Sequence, residues 1–284
     1  MAPPDVEALR AVSERPLKTR WKPVDLACRH GEEEVTVRTK LARDQQSTAV
    51  CVAEAVSHSL LLACGFRMAE PFCVLVGDQF AQDLTVQYEF ENPVRPGRHW
   101  GTRLMRHGVQ EVEFTADLVG DLADPPALFR LYLADVILGN PDRRTHGNVL
   151  LAQSASHSGK FDLIPIDQSD AFLHPSTLID SQRLRARRDE AGAKPLDGME
   201  GVLLDGGPSL VETCFAEAKA LGDGVGDLLH DCHDEWLDRA DVDPATLEGF
   251  LEHRVNTLES LAQKDHWLGV ASQNPGGQHV LTIG

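Results

Sequence analysis

The chain has 284 residues, 42% of them hydrophobic, and a formal net charge of −17. This size can bury the core of one bilobed domain or two small ones, and the acidic balance disfavours broad nucleic-acid or anionic-membrane surfaces. No apolar run has the length of a membrane span, and the first residues lack the pattern of a signal peptide. We therefore expect a cytoplasmic globular protein with no direct nucleic-acid or membrane partner.

The six cysteines are scattered along the chain without a CxxC pair. This usage predicts reduced, mostly buried thiols and argues against a zinc ribbon or a dense disulfide framework. The nearby set of His230, Cys232 and His233 has a spacing that does not place all three on one helix face. No metal site is predicted from that set.

The first residues of the chain are predicted to form a short helix and an arm. Residues 6–12 have amphipathic spacing, which indicates a helix, and a basic, proline-interrupted run follows. After a turn, residues 35–40 alternate between the two faces of a half-buried strand. That strand would present Arg38 and Lys40 on the same face.

A helix is predicted over residues 49–64, with Thr48 as its N-cap and Gly65 at its C-terminal end. Glu54 is the only carboxylate in this segment. Its neighbours are mainly apolar and leave little polar face on which to expose it, so it is a candidate partner for a buried cation.

Two more strands are predicted before the first proline- and glycine-rich connection. Residues 72–76 form a continuous apolar run, and residues 84–90 (LTVQYEF) alternate as a strand does. The connection over residues 91–105 then marks the boundary between two lobes.

The second half begins with the strongest helix signal in the sequence. Asp124 is the predicted cap, two prolines follow in the first turn, and an apolar helix continues to a stop at Gly139. Because the helix is apolar nearly all round, it should lie in a core. Two short strands follow and form a hairpin, which would bring Asn148 and Asp167 to neighbouring ends.

Residues 173–208 are predicted to be mainly loop and rich in charge, and the chain beyond them to be helical. An arginine-rich segment at 183–188 is a solvated face or a docking site for an acidic acceptor. Ser209 and Glu212 form a capping box, and Asp243 caps a later long helix. Residues 271–284 read as a flexible tail.

These positions supply the groups that phosphoryl transfer from a nucleotide requires. Such a reaction needs a carboxylate at the acceptor hydroxyl, an amide and a second carboxylate on magnesium, and a lysine at the phosphates. In chain order the candidates are Lys40, Glu54, Asp142, Asn148 and Asp167.

The run NPDRR, the Asn beyond it, the next strand and an Ile-Asp-x-x-x-Ala-Phe segment at 166–172 together resemble the HipA-like kinases, relatives of the phosphatidylinositol 3- and 4-kinases. The resemblance extends upstream through RWKPVDL and VTVRTKL, so that it covers most of residues 17–175. It implies an α+β, bilobed protein-kinase-like fold with a small strand-rich N-terminal lobe and a larger, mainly helical C-terminal lobe.

The resemblance also implies roles for individual residues. Asp142 would be the catalytic aspartate, Asn148 and Asp167 the Mg²⁺ ligands, Lys40 the lysine that contacts the phosphates of ATP, and Glu54 its ion-pair partner. Further candidates follow from their positions beside these residues: Arg143 and His146 in the catalytic loop, and Arg38 on the nucleotide side.

The resulting division of the chain is an N-terminal arm over 1–16, an N-lobe over 17–105, a C-lobe over 106–270 and a tail over 271–284. The expected activity is ATP- and Mg²⁺-dependent transfer of a phosphate to a hydroxyl of a protein or small-molecule acceptor. The oligomeric state stays open.

The sequence departs from the family pattern in ways that favour a second hypothesis. Arg144 stands where many relatives have His, Asn148 lies six rather than five positions after Asp142, and no Gly-rich loop precedes Lys40. A catalytically weak or inactive pseudokinase that binds nucleotide or a partner is therefore the alternative. A toxin-like regulator is a third hypothesis, and a lipid kinase is disfavoured because no anchor or broad basic surface is visible.

Overall fold

The computed structural model describes residues 2–105, 108–144, 148–230 and 232–264, together with the backbone of two short strands nearer the C-terminus. None of the helices in these ranges combines the length and the apolar character that a bilayer crossing requires. All six cysteines have free thiols, as the sequence predicts.

Most strands precede residue 166, and most helices follow it. The strands are β1 Asp5–Ala11, β2 Val24–His30, β3 Glu33–Lys40, β4 Pro71–Val76, β5 Gly97–Arg103, β6 Val109–Glu111, β7 Val149–Gln153, β8 Phe161–Pro165, β9 Ser272–Gln273 and β10 His279–Val280. The α-helices are α1 Gln45–Ala63, α2 Asp78–Gln87, α3 Ala127–Leu138, α4 Pro175–Leu178, α5 Ser181–Arg187, α6 Met199–Ala220, α7 Val225–Leu229, α8 Asp234–Ala240, α9 Pro244–Asn256 and α10 Leu258–Lys264.

The first five strands close into a barrel in the order β1-β2-β3-β5-β4, with β1 and β4 parallel and the other pairs antiparallel. Alternate residues of β3 are buried, as predicted, so that Arg38 and Lys40 share the opposite face. Inside the barrel the backbone approaches closely at Gly101, where a Cβ atom would lie 2.4 Å from Val37 Cγ1. Only glycine fits there without repacking.

Two predictions of local structure in this part are wrong. Residues 6–12, expected to be helical, form β1, because pairing with both β2 and β4 satisfies the backbone and buries Val6. The LTVQYEF segment begins inside α2 rather than forming a strand. Ala81 and Leu84 are the buried face of that helix, while Val86, which the strand pattern would bury, is 77% exposed.

The expected connection over 91–105 contains β5, which lies between β3 and β4 in the barrel. The chain leaves the barrel after Arg103. Because Gly and Pro occur at the start of this segment, it was expected to be a connection, although it contains a strand in which Trp100 is 3% exposed.

Helix α1 lies between the barrel and the helical part of the protein, and most of its residues are buried. Its N-cap is Asp44 rather than the predicted Thr48, since Asp44 and Ser47 form a capping box one turn earlier. Glu54 is 6% exposed, so its carboxylate is buried, as its apolar neighbours in the sequence predict.

The helical part packs around α3, whose residues are almost all buried. This helix begins at Ala127, with Pro126 rather than Asp124 at the N-cap, and it ends at Gly139 as predicted. Gly139 has φ +61°, the left-handed conformation that a helix stop requires. The predicted hairpin is also present: β7 and β8 are antiparallel and form a three-stranded sheet with β6.

The helices predicted beyond residue 208 are present, but the prediction of loop over 173–208 is wrong, because that segment contains α4, α5 and the first part of α6. Helix α6 is interrupted at Gly207, whose φ of 62° and ψ of −166° are not helical, just before the predicted start at Ser209. Asp243 caps α9 by accepting from the amide of Thr246. In the predicted tail, β9 and β10 pair antiparallel, and the other residues beyond 264 lie outside the described ranges.

Candidate active site

A cleft of about 410 Å³ lies between the barrel and the β7–β8 hairpin. Five of the eight residues predicted to form the site line it: Arg38, Lys40, Glu54, Asn148 and Asp167. Apolar side chains from both parts of the molecule form much of the remaining wall, including Leu17, Met68, Trp100, Leu104, Met105, Leu150 and Ile166.

Lys40 is the point at which three elements meet. Its Nζ donates to Glu54 Oε1 of α1, to Asp167 Oδ1 at 2.6 Å, and to Ser169 Oγ. The Ser169 hydroxyl lies 2.5 Å from Asp167 Oδ1 and 3.2 Å from Glu54 Oε1, so its one proton can be donated to either carboxylate. The barrel, the central helix and the segment after β8 are thereby joined by one network of charged and polar groups.

The electrostatics of this network favour the charged forms of Lys40 and Asp167. Burial alone would lower the pKa of Lys40, but the carboxylates of Asp167 and Glu54 outweigh it and raise that pKa above its ordinary value. Burial would raise the pKa of Asp167, yet Lys40 and Ser169 lower it to about 2. The lysine is therefore a cation and Asp167 a carboxylate at neutral pH.

Asp142 and Asn148 lie side by side despite the six-position spacing between them. The Nδ2 of Asn148 donates to the backbone carbonyl of Asp142 at 2.7 Å and to its Oδ2 at 3.1 Å. The amide of Asp142 donates to Asn140 Oδ1, which fixes the turn after α3. The additional residue in this loop thus leaves the two predicted side chains in contact.

The loop is organised by an ion pair that sequence reasoning missed. Asp135 of α3 is fully buried and accepts two bonds of 2.9 Å from the guanidinium of Arg143. The same guanidinium donates to the carbonyls of Asn148 and Ile166 and to Gln168 Oε1. It ties the ends of β7 and β8 to α3. The signal available in the sequence was the single carboxylate of this mainly apolar helix.

The predicted catalytic residue Arg143 is buried. Its side chain is 1% exposed, and its donors serve Asp135, Gln168 and two backbone carbonyls. The guanidinium holds the loop and the ends of the hairpin against α3.

The other predicted arginine and histidine positions lie elsewhere or outside the description. Arg38 lines the cleft but binds the carboxylate of Asp25 through two bonds, of 2.9 and 3.3 Å, rather than Glu54. Arg144 is an exposed residue that binds Asp197. His146 lies outside the described residues.

The segment after β8 has an unusual backbone. Asp167 has φ +54°, and the consecutive residues 172–174 have φ values of 60°, 60° and 97°. Such angles are uncommon for residues other than glycine and persist where surrounding contacts impose them. The amide of Phe172 donates to the carbonyl of Leu138, the last residue of α3, at 2.7 Å, and that of Leu173 to the carbonyl of Gly139 at 2.9 Å. These bonds hold the segment in the conformation in which Asp167 contacts Lys40.

The basic arm between β1 and β2 covers one side of the cleft. Leu17, Thr19 and Pro23 line it, and Arg20 lies 3.7 Å from the carboxylate of Asp170, beyond β8. The sequence predicts that this arm is loosely extended. In the structure it connects two barrel strands and reaches the segment that carries Asp167.

The arginine cluster at 183–188 lies on and after α5, and carboxylates balance much of its charge. Arg183 lies 3.7 Å from Asp180, and Arg187 binds Glu190 at 2.7 Å. Arg185 donates to Thr246 Oγ1. This balance removes much of the support for the hypothesis that the cluster docks an acidic acceptor.

Comparisons with known proteins find a likeness in fold. No family model matches the chain, and no curated protein does so. Among solved structures, the chain is similar to a Helicobacter pylori proinflammatory kinase, CtkA, with a TM-score of 0.53 and 13% sequence identity. The match covers 93% of this chain and 97% of that one. The chain therefore has a mixed α/β fold similar to that of a kinase.

Proposed function

We propose that this chain is an ATP- and Mg²⁺-dependent kinase of the HipA-like type, which transfers the γ-phosphate to a hydroxyl of a protein or small-molecule acceptor. The observation that carries the proposal is the network in which Lys40 contacts both Glu54 and Asp167 in a cleft that Asn148 also lines. The likeness in fold to a kinase supports it.

In this proposal the barrel and its surroundings are the N-terminal lobe and the helical part is the C-terminal lobe. The apolar walls of the cleft suit a flat, poorly charged base, while Lys40 lies at the charged end and would neutralise the phosphates. Glu54 holds the lysine in place from α1. A kinase needs such a pair because positioning and charge neutralisation account for most of its catalysis.

The predicted metal ligands suit a hard cation. Asn148 uses its Nδ2 toward Asp142, which leaves its carbonyl oxygen as a ligand, and Asp167 supplies a carboxylate that is charged at neutral pH. Mg²⁺ prefers such oxygen ligands, few of them from protein, and when bound it neutralises charge on the phosphates. Asn148 and Asp167 would hold it at the end of the hairpin.

Asp142 would orient the acceptor hydroxyl and accept its proton. Asn148 donates to the carboxylate, and the amide of Asp142 donates to Asn140. The buried Arg143 binds the carbonyl of Asn148 and so holds that residue in place. A general base of this kind depends on geometry first, because it must lie within hydrogen-bond reach of the proton it removes.

The test is transfer of labelled phosphate from ATP, to the chain itself or to added protein and small-molecule hydroxyls, with Mg²⁺ present. Asp142→Ala should abolish the transfer. Asp121→Ala, at an exposed position on the 3-10 turn Ala116–Asp121, is the matched control and should retain it. Undiminished transfer by Asp142→Ala would contradict the assignment.

A nucleotide-binding pseudokinase is the second candidate, and one observation favours it. Lys40 and Ser169 both bond to Oδ1 of Asp167, so the lysine holds the carboxylate that should serve the metal. Thermal unfolding with ATP, with and without Mg²⁺, separates the two. Ligand at one hundred times its Kd stabilises by about 2.7 kcal/mol. Stabilisation that needs Mg²⁺ and is lost in Asp167→Asn supports the kinase, whereas Mg²⁺-independent stabilisation supports the pseudokinase.

A further inference from the structure

Three potential metal ligands converge where the barrel meets the start of α8. They are Asp5 of β1, Cys73 of β4 and His233, the residue before α8. One ligand atom of each lies within 4.8 Å of the other two. In the described ranges this is the one group of three His, Cys, Asp or Glu side chains that meets this condition.

The spacing suits a small tetrahedral cation after slight rotation of the side chains. Zinc bonds of about 2.0–2.3 Å place the ligand atoms of one tetrahedral site about 3.5 Å apart. The separations here exceed that by little more than 1 Å at most. Two of the ligands come from adjacent parallel strands, with Asp5 directly opposite Cys73 in the register, so their backbones already hold them in place.

Two features of the side chains point to a ligand. The Nε2 of His233 is buried and has no hydrogen-bond partner among the described residues, although a buried imidazole nitrogen normally has one. Its ring packs edge-on against Trp236 at 5.3 Å, which restricts its orientation. The thiol of Cys73 is fully buried and bonds to the carboxylate of Asp5, so a proton occupies the place between these two ligands.

We propose that Asp5, Cys73 and His233 form a binding site for Zn²⁺ or a similar thiophilic divalent cation. The Cys73 thiol loses its proton to solvent as the sulfur–metal bond forms, and Asp5 and the imidazole complete three protein ligands, with water in the fourth position. Because Asp5 is 41% exposed on its side chain, that position opens to solvent. The cation would fasten the barrel to the start of α8.

The site would differ from the proposed Mg²⁺ site in its chemistry. Thiolate and imidazole select Zn²⁺ or Co²⁺, whereas Asn148 and Asp167 offer only hard oxygen atoms. Arg98 already binds Asp5, at 3.0 and 3.4 Å, and also binds Glu235 of α8. A bound cation would therefore share the Asp5 carboxylate with Arg98, while Glu235 keeps the arginine in place.

The experiment is titration of the tag-free, full-length chain with Co²⁺, followed by optical absorption. We expect one equivalent to bind with a sulfur-to-cobalt charge-transfer band, and Zn²⁺ to displace it while excess Mg²⁺ does not. The band should be lost in Cys73→Ser and in His233→Gln. It should persist in Cys214→Ser and His157→Gln, which remove a buried thiol and an exposed imidazole elsewhere.

Two further measurements keep the proposed metal site testable. If Cys73→Ser fails to fold, two other measurements test the same ligand set. One is the absorption band of His233→Gln, a substitution at a half-buried position. The other is the X-ray absorption spectrum of the Co²⁺-loaded wild-type chain, which should show one sulfur ligand and otherwise nitrogen or oxygen ligands. Asp167→Ala should retain the band, so that failure of the proposed kinase site and of this site are distinguishable. Absence of the band in the wild type, or its survival in both ligand variants, would overturn the proposal.

Discussion

The guanidinium of Arg143 binds both carboxylate oxygens of Asp135, each at 2.9 Å, where both side chains are almost fully buried. Removing one member leaves the other as an unpaired buried charge, which costs about 3–5 kcal/mol. We expect Arg143→Met to lower the free energy of unfolding by about that amount, measured by urea denaturation.

The neighbouring arginine provides the control for this prediction. Arg144 forms an exposed ion pair with Asp197, and exposed pairs contribute about 0–1 kcal/mol. Arg144→Met should therefore change stability little. Similar losses in the two variants would show that burial of the Asp135–Arg143 pair does not determine its contribution.

The pair of Lys40 and Asp167 predicts a pH dependence in the acid range. The pKa of Asp167 is lowered to about 2 in the folded chain from an ordinary 3.8, so its contribution to stability is present above pH 3.8. It is lost as the pH falls toward about 2. Lys40→Met removes the cation that lowers this pKa, and the difference in stability between wild type and variant should shrink over that interval.

Urea denaturation at a series of pH values measures this difference. Lys219→Met, which removes a lysine from an exposed pair with Glu259, is the matched control and should show a small difference throughout. A wild-type advantage over Lys40→Met that is the same at pH 5 and at pH 2 would contradict the coupling.

His99 predicts a second pH dependence, nearer neutrality. Burial lowers its pKa to about 4 from an ordinary 6.5, and its Nδ1 accepts a bond from the amide of Ala42 at 2.9 Å. Because the folded state holds the imidazole neutral, the associated stability is present above pH 6.5 and is lost as the pH falls toward 4.

We expect His99→Gln to reduce the slope of unfolding free energy against pH between 6.5 and 4, whatever its effect on stability at pH 7. His157→Gln, at an exposed position, should leave the slope as it is in the wild type. An unchanged slope in His99→Gln would show that the buried imidazole does not titrate differently in the folded and unfolded chains.

Gly139 connects a helix end to the candidate site, and its conformation excludes a side chain. It has φ +61°, and a Cβ atom would lie 3.1 Å from Leu173 in the segment after β8. The left-handed conformation costs other residues about 1–2 kcal/mol. Gly139→Ala should destabilise by at least that amount, and activity should fall with it because Asp142 follows three residues later.

Gly201 is the matched control for this substitution. It lies in α6 with open space around it, so that Gly201→Ala should be neutral or stabilise by about 0.5–1 kcal/mol. Thermal or urea unfolding of the two variants compares them directly. Equal effects would mean that the turn at Gly139 tolerates a side chain.

The sequence by itself determined the elements whose signals are local. The alternation of β3 placed Arg38 and Lys40 on one face, the stop at Gly139 ended α3, and the two strands after it formed the expected hairpin. These features depend on backbone conformation and on the period of burial, which neighbouring residues alone specify.

The family resemblance implied the pair of Lys40 and Glu54, but only the tertiary structure decided the other charge pairs. Arg38 binds Asp25 while its neighbour Lys40 binds Glu54 and Asp167, although both point the same way from β3. Closure of the barrel placed residues expected to be helical in β1, because backbone pairing on both edges of that strand stabilises it more than a weakly amphipathic helix would be stabilised. The Asp135–Arg143 pair joins α3 to the loop that follows it, and the cluster of Asp5, Cys73 and His233 joins elements distant in sequence. Neither set has a local sequence pattern that encodes its contacts.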